Sequence, residues 1–335
     1  MSDRVAVIGA GNWGTALANL LARKGEQVVI WSYEQDVAAA INREHNNPRY
    51  LRGVPLHAQL RATDDLSEAV RSAQWIVSAS PAQHVRQVLQ HAVTAIDAGT
   101  RVVSASKGIE MGTLESMDRV LEEVLPSDLP APVFLSGPSF ALEVARELPT
   151  AVTVASRDAE CAQRAQRLFQ ASHFRVYTSK DVIGVELGGA LKNVIALAAG
   201  MAVGLGLGHN ALAALITRGL AEMARLGVAL GADPLTFAGL AGMGDLILTC
   251  TGDLSRNRTV GIELGRGRPL EQILSAMDTI AEGVSTARAA HALARKHRIE
   301  MPIVEQVHAV LFEQLSAREA VETLMLREPK PEQWK

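Results

Sequence analysis

The sequence has few of the residues that stabilise disulfide-rich or zinc-bound domains. Cysteine occurs only twice, as Cys161 and Cys250, and no C-x-x-C pair is present. Two distant cysteines predict neither a disulfide framework nor a metal site, and they favour reduced thiols in a reducing, cytoplasmic compartment. Aromatic residues make up only 4% of the chain. The core must therefore be built mainly from alanine, leucine, valine and isoleucine.

The chain has no strong net charge, and its first residues do not show the pattern of a signal peptide, so we expect no such sequence. Its net charge is -3, which gives no general attraction to nucleic acid or to an anionic membrane. Residues 194–217 contain no Lys, Arg, Asp or Glu and are long enough to span a bilayer. The glycine-rich stretch GLGLGHN at 204–210 interrupts them. We expect two buried helices joined by a turn, and no membrane insertion.

The first half of the chain alternates short β-branched runs with helical patterns. A length of 335 residues suggests two domains, at roughly 150 residues per domain. Alternation of this kind predicts a doubly wound, mostly parallel sheet with helices on both faces. The predicted strands lie at 4–8, 27–31, 75–80, 101–106, 132–137, 151–156 and 174–179, and the helices between them at 13–24, 36–46, 82–97, 113–125 and 158–170.

The second half shows only helical patterns, rich in alanine, leucine and glycine. The predicted helices lie at 184–202, 211–230, 258–265, 269–277, 284–297 and 302–313. The strand pattern stops near residue 180. The sequence therefore predicts an α/β domain at 1–180 and an all-α domain at 181–335.

The first predicted strand runs into the motif Gly9-Ala10-Gly11-Asn12-Trp13-Gly14, which matches G-x-G-x-x-G and opens a helix. Gly9 permits a tight turn, Gly11 lets the backbone approach a pyrophosphate, and Gly14 lets the helix pack closely on the strand. The helix N-terminus supplies free N–H groups to the phosphates. The motif in this context predicts a Rossmann-like dinucleotide site.

The end of the second strand leaves the choice of cofactor open. An acid at this position usually binds the ribose hydroxyls of NAD. Here the strand ends Trp31-Ser32-Tyr33-Glu34, so Glu34 comes slightly late. Ser32 leaves room for a 2′-phosphate, yet no arginine is adjacent in sequence. The cofactor could be NAD(H), NADP(H) or both.

Two lysines are placed where an anionic substrate would need them. Lys107 follows a buried strand, and ligands of open α/β sheets gather at that edge. Lys192 lies within a helix that is otherwise nearly all apolar. Burial of an ammonium is costly and lowers its pKa, which suits a proton donor or acceptor. Gly188 and Gly189 precede it, and two glycines in a helix indicate a close neighbour against the backbone.

A third polar group follows in the helical half. Asp245 lies in the glycine-rich segment GMGDL, read as a turn, and could pair with Lys192. Ser255, Arg256 and Asn257 place a guanidinium and two short polar side chains in a row. That combination near a helix start predicts a phosphate site.

Together these stretches make the chain resemble the bacterial-type NAD(P)-dependent glycerol-3-phosphate dehydrogenases over nearly its full length. The matching stretches are GAGNWGTALA (9–18), NPRYL (47–51), SASKGIE (104–110), LSGPSFALEVA (135–145), GVELGGALKNVIALAAGM (184–201), ITRGLAEM (216–223), GMGDLILTCTGDLSRNR (242–258) and AEGV (281–284). The resemblance implies reversible hydride transfer between NAD(P)H and dihydroxyacetone phosphate, which gives sn-glycerol 3-phosphate, the backbone precursor of glycerophospholipids.

The resemblance also implies residue roles. Lys192 is the expected catalytic proton acceptor. The implied substrate contacts are Lys107, Gly137, Ser139, Lys192, Asp245, Ser255, Arg256 and Asn257. The implied cofactor contacts are Gly9, Gly11, Asn12, Trp13, Gly14, Tyr33, Lys107, Ala141, Arg256, Ile280 and Glu282. Many relatives carry a basic residue where this chain has Ser32 and Tyr33, a departure that bears on the preference for NADPH.

Two other functions fit the same architecture. A related dehydrogenase of a hydroxy acid would use the same two domains with another substrate pocket. A sensor that binds the dinucleotide without turnover is the non-enzymatic alternative, and the lysine in an apolar helix argues against it. The apolar helical half makes a homodimer reasonable.

Overall fold

The computed structural model describes residues 2–277 and 280–332. Residue 1 of the predicted α/β domain and residues 333–335 of the predicted all-α domain therefore lie outside the described residues. Eight strands form one sheet in the order β3-β2-β1-β4-β5-β6-β7-β8. The strands are β1 Arg4–Ile8, β2 Gln27–Trp31, β3 Arg61–Thr63, β4 Trp75–Ser78, β5 Arg101–Ser104, β6 Val133–Ser136, β7 Thr150–Ala155 and β8 Phe174–Ser179.

The helices of the first half cover both faces of this sheet. They are α1 Asn12–Arg23, α2 Gln35–Glu44, α3 Leu66–Val70, α4 Val85–Ala92, α5 Met117–Val124, α6 Ala141–Ala145 and α7 Ala159–Phe169, with short 3₁₀ turns at Ala82–His84 and Val93–Ala95. Helices α1, α2 and α7 pack on one face, and α4 and α5 on the other. The doubly wound, mostly parallel sheet expected from the sequence is confirmed.

One pair of strands departs from the parallel arrangement. Strand β7 runs antiparallel to β6, whereas all other pairs are parallel. A parallel return needs a crossover of a dozen or more residues, usually with a full helix. Residues 137–149 contain only the five-residue helix α6, and the chain turns back beside β6 instead.

Beyond Val182, every element in the described part of the chain is a helix. These helices are α8 Val182–Gly204, α9 Gly208–Ala229, α10 Pro234–Phe237, α11 Asp245–Thr251, α12 Arg256–Gly265, α13 Leu270–Ser275, α14 Glu282–His297, α15 Pro302–Phe312 and α16 Ala317–Met325, with one π-helical turn at Leu240–Gly244. Because β8 ends at Ser179, we keep the boundary near residue 180 as a proposal.

Helix α8 is the centre of the helical half. By length and composition it could cross a membrane, but 83% of its most apolar stretch is buried inside the fold. The segment Pro234–Thr251 passes the same test with 39% buried. One part of the sequence-based expectation is wrong: α9 is not buried throughout, because its first turns face solvent. Leu212 and Leu215 of these turns are only partly buried against the helical core.

Helices α8 and α12 approach each other backbone to backbone. A Cβ on Gly200 would lie 2.1 Å from the Arg258 carbonyl oxygen, and one on Gly261 would lie 2.1 Å from the Leu197 carbonyl oxygen. Such contacts are possible only where both helices lack side chains. The glycines therefore hold the start of α12, with Ser255, Arg256 and Asn257, close to α8.

Candidate active site

The glycine-rich turn after β1 has the shape that a dinucleotide requires. Gly9 has a φ of +109°, and a Cβ on Gly14 would lie 1.9 Å from the Gly9 carbonyl oxygen. A Cβ on Gly11 would meet nothing within 4 Å, so the backbone there is open to a ligand. The turn lies between β2 and β4, where the strand order reverses, which is the usual ligand position in such sheets.

The start of α1 has free hydrogen-bonding groups. Gly11 occupies the N-cap position and provides no side-chain cap. The buried Asn12 Oδ1 and Trp13 Nε1 have no hydrogen-bond partner within the protein. A pyrophosphate fits this helix N-terminus because free backbone N–H groups and the helix dipole both favour an anion. The residues present therefore fit a nicotinamide dinucleotide.

A buried carboxylate joins the two lysines predicted from the sequence. Lys107 Nζ donates to Asp245 Oδ2 at 2.7 Å, and Lys192 Nζ donates to Asp245 Oδ1. Lys107 also donates to the Gly137 carbonyl oxygen at 3.2 Å. The side chains of Lys107, Lys192 and Asp245 are 16%, 9% and 1% exposed. Two ammonium groups and one carboxylate leave a net positive charge at the site, as an anionic substrate requires.

Burial and the neighbouring charges set the protonation of this group. Desolvation lowers the pKa of Lys192 to about 8, although the charge of Asp245 acts to raise it. Burial acts to raise the pKa of Asp245, but the charges of Lys107 and Lys192 lower it more, so it lies below 3.8. Lys192 is therefore a cation near neutral pH and can release its proton at mildly basic pH.

The two glycines before Lys192 have the close neighbours that the sequence predicted. A Cβ on Gly188 would lie 2.5 Å from the Ala241 carbonyl oxygen, and one on Gly189 would lie 2.6 Å from Ser136 Oγ. Gly188 thus lets the segment before Asp245 lie against α8. Gly189 lets the end of β6 and the Lys107 side chain lie against α8 as well.

The expectation that Asp245 lies in a turn is wrong. Asp245 is the first residue of α11, directly after the π-helical turn Leu240–Gly244. Thr249 follows one turn later, and its Oγ1 accepts from Lys192 Nζ at 3.0 Å. The same Oγ1 lies 2.6 Å from the Asp245 carbonyl oxygen, to which it donates. The helix thus presents Asp245 and Thr249 on one face toward Lys192.

The predicted phosphate segment lies at the start of α12. Ser255 is the N-cap, and its Oγ accepts from the Arg258 backbone N–H at 3.2 Å. Asn257 is buried and donates to Asn193 Oδ1 at 2.9 Å, next to Lys192. Asn257 Oδ1 accepts from the Gly283 N–H at 2.9 Å. Arg256 is exposed and extends from the same turn.

The other predicted contacts come from three further parts of the chain. Ser139 donates to the Gly137 carbonyl oxygen at 2.9 Å, and Ala141 begins α6. Glu282 Oε1 accepts from the Ala82 N–H at 3.2 Å, which connects α14 to the end of β4. Ile280 is 48% exposed, beside the start of α14. Tyr33 is 83% exposed, beyond the end of β2.

Comparison with known proteins gives a consistent result over both halves. Residues 4–162 match the family model for the N-terminal part of NAD-dependent glycerol-3-phosphate dehydrogenases. Residues 181–322 match the model for the C-terminal part. A protein of Geobacter metallireducens named as an NAD(P)+ glycerol-3-phosphate dehydrogenase is 56% identical over 333 residues, 99% of both chains. The chain belongs to this family. The resemblance inferred from the motifs is therefore confirmed.

Further relatives agree with this assignment. A Myxococcus xanthus protein of the same name is 54% identical over 330 residues, 98% of both chains. The crystal structure of glycerol-3-phosphate dehydrogenase from Coxiella burnetii superposes with a TM-score of 0.94 at 42% identity, covering 97% of this chain and 99% of that one. These matches give no support to the hydroxy acid dehydrogenase or the sensor.

Two site residues were missed by reasoning from the sequence. Thr249 lies four residues after Asp245, in a stretch for which no helix is predicted from the sequence. Their spacing of four residues would have placed them on one helix face. Asn193 follows Lys192 directly, and only the structure shows that it supports Asn257.

Metal-binding clusters and reactive thiols were also sought around the site. Within 2–277 and 280–332 there is no group of three or more His, Cys, Asp or Glu side chains that could hold a metal ion. Cys161 and Cys250 are both buried and free. Burial raises the pKa of the Cys250 thiol to about 12, so this thiol beside the site is unreactive at neutral pH.

Proposed function

We propose that the chain catalyses the reversible, NAD(P)-dependent interconversion of dihydroxyacetone phosphate and sn-glycerol 3-phosphate. The observation that carries the proposal is the buried Asp245 carboxylate, which accepts from both Lys192 and Lys107, with Lys107 just beyond the carboxyl end of β5. In this arrangement Lys192 would be the proton donor, and the start of α12 would bind the anionic group. A glycerophospholipid precursor would be the metabolic product.

Lys192 is the proton donor in the reducing direction. A bound nicotinamide cofactor would supply the hydride to C2 of dihydroxyacetone phosphate. As the C2–O double bond becomes a single bond, Lys192 Nζ gives its proton to the developing alkoxide oxygen. In the reverse direction, neutral Lys192 accepts the hydroxyl proton. A pKa of about 8 suits both tasks because it lies near the working pH.

Asp245 and Thr249 hold that lysine, and Lys107 stabilises the negative charge that develops. Asp245 and Thr249 fix Lys192 Nζ by hydrogen bonds. Lys107 adds a second ammonium beside Asp245, and its charge stabilises an oxyanion at C2. Gly137 and Ser139 line the same edge and would contact the substrate hydroxyls.

The start of α12 would bind the phosphate. Its free backbone N–H groups and the Arg256 guanidinium are suited to a dianion. Ser255 retains a hydroxyl donor while it caps the helix, and Asn257 keeps the turn beside Asn193. Anchoring of the phosphate would fix C2 opposite Lys192.

The remaining predicted residues would surround the cofactor. Gly9, Gly11 and Gly14 form the pyrophosphate turn, with Asn12 and Trp13 at the helix start. Tyr33 would lie beside the adenosine. Ala141, Arg256, Ile280 and Glu282 would border the other half of the dinucleotide, together with Lys107.

We also propose that the protein is a cytoplasmic homodimer without nucleic-acid or membrane partners. The exposed apolar side chains near the start of α9, Val203 and Leu207, are each 38% exposed and are suited to a subunit contact. Light scattering on the purified protein would test the dimer.

Initial rates test the activity directly. NADH or NADPH should be oxidised with dihydroxyacetone phosphate but not with a β-keto acid. Oxidation with the β-keto acid alone would favour the hydroxy acid dehydrogenase. Tight binding of NADH without turnover of any phosphorylated ketone would favour the sensor.

A further inference from the structure

The segment Asn47–Leu51, here called the NPRYL loop, is fixed to the dinucleotide turn. Asn47 is fully buried, and its Nδ2 donates to the Ala10 carbonyl oxygen at 2.8 Å and to Thr15 Oγ1 at 2.9 Å. Asn47 Oδ1 accepts from the Tyr50 backbone N–H at 3.0 Å. The loop is therefore part of the cofactor site, although it follows the dinucleotide turn by more than thirty residues.

The loop contacts the acid that comes late after β2. Tyr50 Oη donates to Glu34 Oε1 at 2.5 Å, and Arg49 Nη1 lies 3.6 Å from the same oxygen. Ser32 Oγ donates to the Glu34 carbonyl oxygen at 2.9 Å and fixes the backbone there. Two side chains of the NPRYL loop thus hold Glu34 just beyond the end of β2, close to the position where a ribose acid is expected.

The arrangement changes the electrostatics of that acid. An unpaired carboxylate at the end of β2 accepts from a ribose 2′-hydroxyl and repels a 2′-phosphate. Here the Arg49 guanidinium offsets the charge of Glu34 and, with its side chain 47% exposed, remains accessible to a ligand. Burial and the bond to Glu34 raise the pKa of Tyr50 to about 12, so Tyr50 remains a donor. The arginine missing from the sequence near Ser32 comes from another loop.

We propose that Glu34, Tyr50 and Arg49 together set the choice between NADH and NADPH. Arg49 binds the 2′-phosphate of NADPH, for which a guanidinium is well suited. Glu34 accepts from the 2′-hydroxyl of NADH. Tyr50 holds Glu34 toward the loop and so limits its repulsion of a phosphate. The proposal rests on dinucleotide binding at Gly9–Gly14 and does not depend on which substrate is reduced.

Direct binding measurements without substrate test this assignment. The dissociation constants of NADH and NADPH are measured by calorimetry for the wild type, Arg49→Gln, Glu34→Gln and the control Arg43→Gln. Arg43 is an exposed residue near the end of α2. Arg49→Gln should weaken NADPH by about ten-fold or more, with NADH changed by less than about three-fold. Glu34→Gln should tighten NADPH and weaken NADH. Arg43→Gln should alter neither.

The contrary results are distinct. Equal effects of Arg49→Gln on both dinucleotides, or no effect on either, would overturn the proposal, provided that the unfolding midpoint of the free protein is unchanged. If that midpoint falls, Arg49→Lys replaces Arg49→Gln in the test. A lysine keeps the positive charge but cannot make two parallel bonds to the 2′-phosphate, so this variant should retain only part of the NADPH affinity. Failure of the wild type to bind either dinucleotide would overturn the proposed function itself.

Discussion

Lys107 and Asp245 are 138 residues apart in sequence, yet Lys107 Nζ lies 2.7 Å from Asp245 Oδ2. The lysine follows strand β5 of the α/β half, and the aspartate begins helix α11 of the helical half. Lys192 approaches the second oxygen of the same carboxylate from α8. One buried aspartate thus connects both halves of the molecule at the point where we place proton transfer.

Asp245→Asn tests the electrostatic part of this arrangement. The charge of Asp245 raises the pKa of Lys192 against the effect of burial, so its removal should lower that pKa. Ketone reduction needs protonated Lys192. The fall in kcat/KM with rising pH, expected near pH 8 in the wild type, should therefore shift to lower pH in Asp245→Asn. A pH–rate series measures it, with Asp128→Asn, an exposed loop variant, as control. An unshifted profile would contradict the assignment.

Thr249→Val removes one hydrogen bond to Lys192 and keeps nearly the same shape. The lost contact is the 3.0 Å bond from Lys192 Nζ to Thr249 Oγ1. We expect kcat of Thr249→Val to fall by about ten-fold, because a ten-fold change in rate corresponds to roughly the free energy of one hydrogen bond. Thr249→Ser keeps the hydroxyl group and should retain most of the activity. Steady-state kinetics of both variants decide the matter. Equal loss in the two variants would indicate a packing role instead.

Gly188→Ala should destabilise the fold near the site. Its Cβ would lie 2.5 Å from the Ala241 carbonyl oxygen, a backbone atom that cannot move alone. The segment before Asp245 must shift, at a cost of about 1–3 kcal/mol. Gly112→Ala is the control, since its Cβ would meet nothing within 4 Å, and it should change stability by less than about 0.5 kcal/mol. Urea unfolding compares them, and equal midpoints would refute the expectation.

Glu222 should make the stability depend on pH. This buried carboxyl group accepts from the Ile303 N–H at 2.8 Å and the Val304 N–H at 3.2 Å. Burial raises its pKa to about 7 from an ordinary 4.5. The folded state therefore binds the Glu222 proton more tightly than the unfolded state does. The contribution of Glu222 to the free energy of unfolding is complete below pH 4.5 and is lost as the pH rises through 7.

Glu222→Gln removes that titration. The wild type should lose about 3 kcal/mol more unfolding free energy than the variant between pH 4.5 and pH 8. Denaturant unfolding of both proteins at the two pH values gives this difference, in which the contributions of other groups cancel. Parallel pH curves for the two proteins would mean that Glu222 does not titrate in this range.

Much of this architecture was predictable because it depends on local patterns. The fingerprint after β1 specifies the dinucleotide turn, and Lys192 in an apolar helix indicates a buried charge. The capping box of Ser316 and Glu319 was a local signal for α16 that we did not use. Strand β3, with three residues at the sheet edge, is too short for a periodic pattern.

The errors arose where tertiary contacts override local preference. Glycines at 239, 242 and 244 predict a turn, yet the segment forms a π-helical turn that continues into α11. The bare backbone at Gly188 allows this by letting Ala241 lie close. Likewise, the contact of Arg49 with Glu34 joins two loops. It could not be predicted from the spacing of these residues along the chain.

The most direct test of the central claim is single-turnover reduction of dihydroxyacetone phosphate by Lys192→Ala, with and without an added alkylamine. Lys180→Ala, which alters an exposed lysine just before α8, is the control. If Lys192 transfers the proton, the rate should fall by about two to four orders of magnitude and recover in part with the amine. A rate near that of the wild type, with cofactor and substrate bound, would contradict the account.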